Sequence, residues 1–219
     1  MEPTTVKSFK LRGTRITAAQ LSARDRLWST FGINASMDVL DLLSLFPSAQ
    51  RIIMEIGFGM GEATALIAKH FPEDGFLAVE VHQPGIGKLL SRIEEAPLSN
   101  VKVIDSDVHI VLHDNIADSS LDGIHLFFPD PWPKARHHKR RIITPAFLEL
   151  IYQKLKPAGI IYIATDWVPY AESIEETFAS SPLFHGGKAD RPEWRPLTRF
   201  EGQGITKDHS VNDFKYVKN

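Results

Sequence analysis

The residues best suited to chemistry lie in one stretch, Asp122 to Arg141, which reads Asp-Gly-Ile-His-Leu-Phe-Phe-Pro-Asp-Pro-Trp-Pro-Lys-Ala-Arg-His-His-Lys-Arg-Arg. The apolar run at 124–128 is typical of a buried strand of a parallel sheet. It ends at Pro129, and the residues before the next two prolines, Asp130 and Trp132, are expected to be extended. A carboxylate and an indole therefore follow directly on the carboxyl end of a strand, where open α/β sheets bind ligands.

A run of cations comes next, formed by Lys134, Arg136, Lys139, Arg140 and Arg141. A stiff, solvated connection is the alternative interpretation of a proline-rich loop with a charged face. The concentration of an acid, an aromatic ring and five cations in so short a stretch favours a functional site, and such local clustering is what a nucleic-acid site would require at this low net charge.

A glycine-rich turn follows an earlier apolar strand at 51–56, with glycines at Gly57, Gly59 and Gly61. Such a turn lets a ligand approach the backbone closely. The dinucleotide-binding pattern would require its third glycine at the position of Glu62, and a carboxylate there would repel a pyrophosphate. The spacing therefore argues against NAD or FAD and disfavours a nicotinamide oxidoreductase.

Acidic side chains stand at successive strand ends. Glu80 is placed to accept from the two hydroxyls of a ribose. Asp107, after the third of these strands, can accept from an adenine amino group, and Glu55, just before the glycine turn, can face an ammonium group. A ligand with a ribose, an adenine and a cationic amino-acid tail meets these requirements, and S-adenosylmethionine is such a ligand.

The elements that must position these residues alternate between strand and helix. This order predicts an α/β fold with a doubly wound, mostly parallel sheet. A first helix begins at Thr17, which forms a capping box with Gln20, and ends at Gly32. The other predicted elements are a helix at about 36–46, strands at 51–56, 76–81, 101–104, 124–128 and 160–164, helices at 62–71 and 84–95, one after Asp107 and one from Thr144, loop at 185–210, and a last edge strand at 211–218.

Composition is that of a globular protein, with 219 residues, 43% apolar residues, a net charge of −2 and no cysteine. The absence of cysteine excludes disulfides and thiolate-bound zinc, and fits a reducing cytoplasm. His137 and His138 lack the accompanying acids of a metal site, so no metal is expected. No apolar run is long enough to span a membrane, and no apolar signal core is present at the N-terminus.

The chain resembles the bacterial tRNA (guanine-N7-)-methyltransferases over nearly its whole length. The most specific motif is Phe127-Phe-Pro-Asp-Pro-Trp-Pro-Lys134. The other matching segments are Arg12-Gly-Thr-Arg15, Glu55-Ile-Gly-Phe-Gly-Met-Gly61, Glu80-Val-His-x-Pro-Gly-Ile-Gly87, His137-His-Lys-Arg-Arg141, Ala164-Thr-Asp166 and Arg195-Pro-Leu-Thr-Arg-Phe-Glu201.

The resemblance implies a Rossmann-like class I S-adenosylmethionine-dependent methyltransferase fold and methylation of N7 of guanosine 46 in the tRNA variable loop. It places Asp130 at the catalytic position, where it can act by chemistry or by positioning. The implied cofactor positions are Glu55, Gly57, Gly59, Gly61, Glu80, Asp107 and Asp130, and the implied substrate positions are Lys134, Asp166, Thr198, Arg199, Phe200 and Glu201. Arg199 stands where the family often has lysine, and the residues after Glu201 follow the family pattern only loosely.

We expect residues 1–219 to form a single methyltransferase domain with a basic arm and helix at 1–35, a cofactor-binding core at 50–184 and a substrate loop with the last strand at 185–219. The arm carries Lys7, Lys10, Arg12, Arg15, Arg24 and Arg26. The expected partner is tRNA, the expected location is the cytoplasm, and the expected state is a monomer or homodimer.

Two alternatives remain at this point. One is an amino-methylating nucleic-acid methyltransferase, whose corresponding loop has an acid or amide before two adjacent prolines and an aromatic residue rather than Asp130-Pro-Trp-Pro. The other is a non-catalytic tRNA-binding scaffold, which the four acids Glu55, Glu80, Asp107 and Asp130 disfavour. Trp132 is compatible with stacking on a base or with a buried structural role.

Overall fold

A computed structural model describes residues 8–9, 15–34, 38–197 and 210–219. Within them the chain forms an eight-stranded sheet in the order β1-β4-β3-β2-β5-β6-β8-β7. The strands are β1 Gly32–Ile33, β2 Ile52–Ile56, β3 Gly75–Glu80, β4 Val101–Asp105, β5 Leu121–Phe127, β6 Leu155–Thr165, β7 Phe184–Ala189 and β8 Asn212–Lys218. The first six strands pair in parallel, and β8 runs antiparallel to both β6 and β7, so the predicted doubly wound, mostly parallel fold is confirmed.

The helices cover the sheet on both faces. They are α1 Ala18–Phe31, α2 Leu42–Leu45, α3 Glu62–His70, α4 Gln83–Glu95, α5 Val108–Ile110, α6 Pro145–Lys154 and α7 Val168–Ala179, with a π-helical turn at Val111–Asn115 and a 3₁₀ helix at Ala135–Arg140. The first helix begins as predicted. The Thr17 side chain accepts from the Gln20 N–H, and the Gln20 side chain accepts from the Thr17 N–H at 2.9 Å.

Two apolar cores result from this layering. One lies under α1, α3 and α4 and includes Ile67, Leu89 and Phe76. The other lies on the opposite face, under α2, α5, α6 and α7, and includes Leu148 and Ile174. Because both faces are covered, β2 is buried along its whole length, including its one charged residue.

The strand order creates the switch point at which such sheets bind ligands. The chain runs from β2 outward through β3 to β4, and then crosses back to place β5 on the other side of β2. The loops after β2 and β5 therefore leave the sheet in opposite directions, which opens a crevice above the carboxyl ends of the central strands.

Several boundaries differ from the predicted ones. The helix expected at about 36–46 is only the four-residue α2, because the Asp41 side chain caps it by accepting from the Ser44 N–H at 3.1 Å. Part of the expected loop at 185–210 is strand β7, whose two central glycines obscure the apolar alternation of a strand. The last strand is not an edge strand, because β7 continues the sheet beyond it. The strand β1 and the helix α7 were not predicted.

Some predicted residues lie outside the described ranges. They are Lys7, Lys10 and Arg12 of the basic arm and the substrate segment Thr198, Arg199, Phe200 and Glu201. The assignment of the whole chain to a single domain stays a prediction.

Candidate active site

A cavity of about 440 Å³ lies above the carboxyl ends of β2, β3, β4 and β5. Five of the predicted site residues line it, namely Gly57, Gly59, Glu80, Asp107 and Asp130. Apolar side chains including Ile56, Val79, Leu126 and Ile142 form the rest of its wall, together with Ser8 and Phe9 of the N-terminal segment. Apolar walls with a few convergent polar groups are typical of a cavity for an organic ligand.

The glycine-rich turn adopts the left-handed conformation that only glycine enters without strain. Gly57, Gly59 and Gly61 have φ angles of 70°, 58° and 69°. A Cβ atom on either of the first two would meet nothing within 4 Å, whereas one on Gly61 would lie 2.7 Å from Leu89 Cβ. The first two glycines thus present their backbone to open space, and the third allows the turn to pack on α4.

The same turn is held from the other side by α4. A Cβ atom on Gly85 would lie 1.9 Å from the Gly59 carbonyl oxygen, so the helix backbone rests directly on the turn. A Cβ atom on Gly87 would lie 2.6 Å from the Gln20 carbonyl oxygen of α1. The two glycines near the start of α4 therefore set the distance between the turn, α4 and the N-terminal helix.

We expect Gly85→Ala to displace the glycine turn, because a methyl group cannot fit against a backbone carbonyl. The expected loss of stability is about 1–3 kcal/mol, the usual cost of overpacking, with a loss of cofactor affinity of about tenfold or more. Thermal unfolding and calorimetry measure the two effects. Lys88→Ala, on the same helix, is the matched control, and equal affinities for the two variants would contradict the packing argument.

Glu80 is oriented by backbone groups. One carboxylate oxygen accepts from the Gly59 N–H at 2.9 Å, and the other accepts from the N–H groups of Val81 and His82 at 2.7 Å and 3.0 Å. These bonds fix the carboxylate between the glycine turn and the start of α4. The side chain is half-buried in the cavity wall, in the position from which an acid accepts from a ribose.

Asp107 lies at the end of the next strand, where its side chain caps α5 by accepting from the His109 N–H at 3.0 Å. Its neighbour Asp105, which the sequence reasoning missed, accepts from the Gln83 side-chain amide at 2.7 Å and from Arg24 at 2.8 Å. Arg24 also donates to Gln83. This network ties α1 and α4 to the carboxyl end of β4. The sequence feature that could have identified Asp105 is its position, as an acid at a strand end two residues before Asp107.

Glu55 does not line the cavity in this structure. It is 3% exposed, beneath the glycine turn and near the Thr64 side chain. Its Oε2 atom is buried without a hydrogen-bond partner among the described residues. Burial first, and the nearby Glu80 carboxylate in addition, raise the pKa of Glu55 to about 7. A buried acid with an unsatisfied oxygen is poised to accept a cationic group.

The loop that carries Asp130 is held from below. The Phe128 N–H donates to the Ala164 carbonyl at 2.8 Å, and the Arg141 Nε–H donates to the Pro131 carbonyl at 3.1 Å. Arg141 is 7% exposed and lies over the Tyr170 ring, so it supports the loop and is not part of an exposed cationic face. Its burial lowers its pKa.

The prediction that Trp132 is extended is wrong. Its φ angle is +46°, and Phe128, which also precedes a proline, has a φ angle of +53°. The local preference is overridden by tertiary contacts. The Trp132 indole is 6% exposed, its N–H donates to the Ser8 carbonyl at 3.0 Å, and the Arg140 guanidinium lies 3.8 Å from its ring centroid.

Trp132 and Arg140 together hold the N-terminal segment against the cavity. Arg140 donates to the Phe9 carbonyl at 2.7 Å while it stacks on the indole. Ser8 and Phe9 are the residues that complete the cavity wall. The indole is therefore a buried support for this wall.

We expect Trp132→Phe to weaken cofactor binding by about three- to tenfold, because the phenyl ring fills the space but cannot donate to the Ser8 carbonyl. A single hydrogen bond contributes about 0.5–1.5 kcal/mol, which corresponds to this range. Calorimetric titration measures it. Trp167→Phe, at the start of α7, is the control, and an unchanged affinity for Trp132→Phe would show that the N-terminal segment does not seal the cavity.

The two described substrate positions lie near the cavity without lining it. Lys134 is exposed at the start of the 3₁₀ helix, and Asp166 is half-buried directly after β6. Since β5 and β6 are neighbours, Asp130 and Asp166 follow adjacent strands at the same edge of the sheet. Among the cations of the run, Lys134, Arg136 and Lys139 are exposed.

Neither a metal-binding cluster nor a membrane-spanning helix is found among the described residues. No group of three or more histidine, cysteine, aspartate or glutamate side chains among them could hold a metal ion. No helix in the described part of the chain is long and apolar enough to cross a membrane.

Comparison with known proteins gives a consistent result. The family model described as "Putative methyltransferase" matches residues 49–214. A tRNA (guanine-N(7)-)-methyltransferase of Nitrosospira multiformis is 47% identical over 97% of this chain and 94% of its own length. The protein of the same name from Neisseria meningitidis is 46% identical over 99% of this chain and 92% of its own length.

Solved structures share the fold at low identity. The 16S rRNA methyltransferase KamB has a TM-score of 0.62 and 12% identity, over 83% of this chain and 95% of its own. An antibiotic-related methyltransferase has a TM-score of 0.58 and 13% identity, over 85% of this chain and 95% of its own. These likenesses confirm the Rossmann-like class I methyltransferase fold. Because the family model and the curated relatives both match nearly the whole core of the chain, the protein belongs to the bacterial tRNA (guanine-N7-)-methyltransferase family.

Proposed function

We propose that this protein transfers the methyl group of S-adenosylmethionine to N7 of guanosine 46 in the tRNA variable loop. The observation that carries the proposal is the cavity at the switch point, where the glycine turn, Glu80, Asp107 and Asp130 converge. The names of the relatives support tRNA guanine N7 as the acceptor. The choice of position 46 comes from the family resemblance of the sequence.

The residues present fit the cofactor. Gly57 and Gly59 leave open space above their Cα atoms, and the Glu80 carboxylate is oriented to accept hydrogen bonds from the ribose of the cofactor. Glu55 offers a buried oxygen without a partner among the described residues, which suits an ammonium group. When bound, S-adenosylmethionine supplies an electrophilic methyl group. A phosphoethanolamine N-methyltransferase of Haemonchus contortus with this fold was solved in complex with S-adenosylmethionine.

The chemistry asks mainly for positioning. Guanine N7 carries a lone pair in the ring plane and needs no deprotonation, so a general base is not required. We assign to Asp130 and Asp166 the acceptance of hydrogen bonds from guanine N1–H and N2–H, which turns N7 towards the methyl group. Carboxylates also stabilise the positive charge that develops on the purine. Glu201, outside the described residues, is a third candidate for this role.

The guanine must leave its stack to reach the cavity. The exposed cations after the Asp130 loop are placed to bind the tRNA backbone while the base enters. Lys134, Arg136 and Lys139 take this role in the proposal. Arg140 and Arg141 instead hold the N-terminal segment and the Asp130 loop.

We expect the affinity for tRNA to fall as the salt concentration rises. Lys139→Ala is expected to reduce the magnitude of the slope of log association constant against log salt concentration by about 0.7–0.9, the value for losing one phosphate contact. Filter binding over a series of salt concentrations measures the slope. Lys69→Ala on α3 removes an exposed cation from a different surface and is expected to leave the slope unchanged. Identical slopes for the two variants would remove Lys139 from the RNA contact.

The proposed function is tested with labelled S-adenosylmethionine and unmodified tRNA, beside a tRNA in which guanine 46 is replaced by adenine. Incorporation into the first substrate alone supports the proposal. Incorporation into both would show that guanosine 46 is not the methylated position. Nucleoside mass spectrometry would then identify the methylated atom and detect amino methylation. Binding of cofactor and tRNA without incorporation would favour a non-catalytic scaffold.

A further inference from the structure

A second cavity of about 280 Å³ lies towards the amino ends of the central strands, on the side of the sheet away from the candidate active site. It lies beside Ile53 of β2, Gly123 of β5 and Ile160 of β6. Its aromatic lining includes Phe71, Tyr162 and Trp194. No residue of this cavity takes part in the proposed reaction.

The cavity contains a buried polar group with an unmet hydrogen bond. His125 lines it and is 5% exposed, and its Nδ1 atom has no hydrogen-bond partner among the described residues. Its ring packs against those of Trp194 and Phe127, with centroids 5.0 Å and 5.2 Å away, and the three rings form one cluster. A buried polar atom in an apolar wall is costly unless a further molecule satisfies it.

The charge state of His125 limits what that molecule can be. Burial, with a smaller contribution from the Arg51 cation, lowers the pKa of His125 to about 3. The imidazole is therefore neutral near pH 7, and it offers a hydrogen bond without a charge.

The mouth of the cavity is electrically balanced. Arg51 donates to both carboxylate oxygens of Asp74, at 3.0 Å and 2.5 Å. Lys156 donates to Asp122 at 2.7 Å. The two cations and two carboxylates cancel, so the mouth has no excess of positive charge to attract a phosphate or an RNA chain.

We infer that this cavity binds a small, uncharged, planar nitrogen heterocycle of nucleobase size, hydrogen bonded to His125 and packed against the rings of Tyr162 and Trp194. Aromatic walls with one polar anchor are the usual means of recognising such a ring. The volume is at the small end for ligand cavities, which suits one fused ring system. The balanced mouth assigns the site to a free small molecule.

The site is tested in the wild-type protein with adenine as the probe. Histidine labelled with ¹⁵N gives ring resonances in long-range proton–nitrogen spectra, and the His125 resonance is identified by its loss in His125→Phe. We expect adenine to shift this resonance saturably in about the millimolar range, as befits a ligand of few atoms. Toluene, which has no hydrogen-bonding atom, and benzoate, which is charged, are expected to shift it at least tenfold less effectively.

Either of two results with these small probes would overturn the inference. One is a His125 resonance that adenine does not move at saturation of its solubility. The other is a response to toluene or benzoate as strong as that to adenine. A short single-stranded RNA is the third probe. Its binding at His125 more tightly than adenine would remove the assignment to a free molecule.

Variants separate this site from the active-site cavity, which could also admit adenine. His125→Phe and, independently, Trp194→Phe are expected to reduce the affinity for adenine measured at this site by tenfold or more. Asp107→Asn, in the other cavity, is the matched control and is expected to keep the shift of the His125 resonance. Loss of that shift in Asp107→Asn alone would place adenine in the active-site cavity and overturn the inference.

Discussion

Asp130→Ala is expected to lower kcat for methyl transfer to tRNA by about 10²-fold or more, the scale for losing one preorganised electrostatic group. The side chain lines the active-site cavity directly after the central strand β5. Prolines flank it on both sides, and the loop is held by hydrogen bonds at Phe128 and at Pro131. A carboxylate fixed in this way stabilises charge that develops on the guanine without first having to reorganise.

Single-turnover transfer of labelled methyl, at saturating tRNA and cofactor, measures the effect on the chemical step. Asp130→Asn keeps the size of the side chain and removes its charge. If the charge is what stabilises the transition state, the asparagine and alanine variants are expected to lose similar amounts of activity. If Asp130 acts mainly by holding the base through accepted hydrogen bonds, the asparagine variant should retain a substantial part.

The matched control is Glu172→Ala, which removes an exposed carboxylate from α7. It should leave kcat unchanged, since Glu172 is not part of the cavity lining. Cofactor affinity is measured for all variants, because Asp130 is also a proposed cofactor contact. Near-normal turnover of Asp130→Ala would remove the catalytic assignment.

Glu55→Gln is expected to change stability and cofactor binding in opposite ways above pH 7. In the folded protein without cofactor, burial raises the pKa of Glu55 from 4.5 to about 7. At roughly 1.4 kcal/mol per pKa unit, this shift costs the folded state about 3 kcal/mol once the group must ionise.

The sign follows from proton binding. Between pH 4.5 and about 7 the folded protein holds a proton on Glu55 that the unfolded chain has lost, so this group lowers the free energy of unfolding as pH rises through that window. Glutamine does not titrate. The free energy of unfolding of the variant relative to the wild type is therefore expected to increase by about 3 kcal/mol from pH 4.5 to pH 8. Urea unfolding at a series of pH values measures this difference.

Cofactor binding gives the opposite result. An ammonium group beside Glu55 favours the carboxylate, so wild-type affinity is expected to rise as pH increases through 7, whereas the variant lacks the charge and is expected to bind at least tenfold more weakly at pH 8. Calorimetry at pH 6 and pH 8 tests this. Asp41→Asn, at the start of α2, is the control for a carboxylate remote from the glycine turn. A pH-independent difference in stability would contradict the buried-acid account.

The sequence by itself determined much of the framework. The alternation of apolar strands and amphipathic helices predicted the doubly wound sheet, because the spacing of apolar residues in a short window shows which element forms and which face it buries. The glycines at 57, 59 and 61 predicted a turn with unusual backbone angles, and all three are left-handed. Glu80, Asp107 and Asp130 line one cavity, because parallel strands bring their carboxyl ends to the same side of the sheet.

Other features were decided only by tertiary structure. Local preference predicted an extended Trp132, but its contacts with Ser8 and Arg140 hold it in the left-handed region. A charge run gave no sign that Arg141 is buried under the Asp130 loop, because charge patterns do not reveal which cation a loop will cover. The sequence shows Glu55 as an acid before the glycine turn but does not show its protonation state. The packing of α3 over β2 buries the carboxyl group, and this burial raises its pKa. Each of these outcomes depends on how loops and elements pack on one another, and a local sequence pattern does not reveal such contacts.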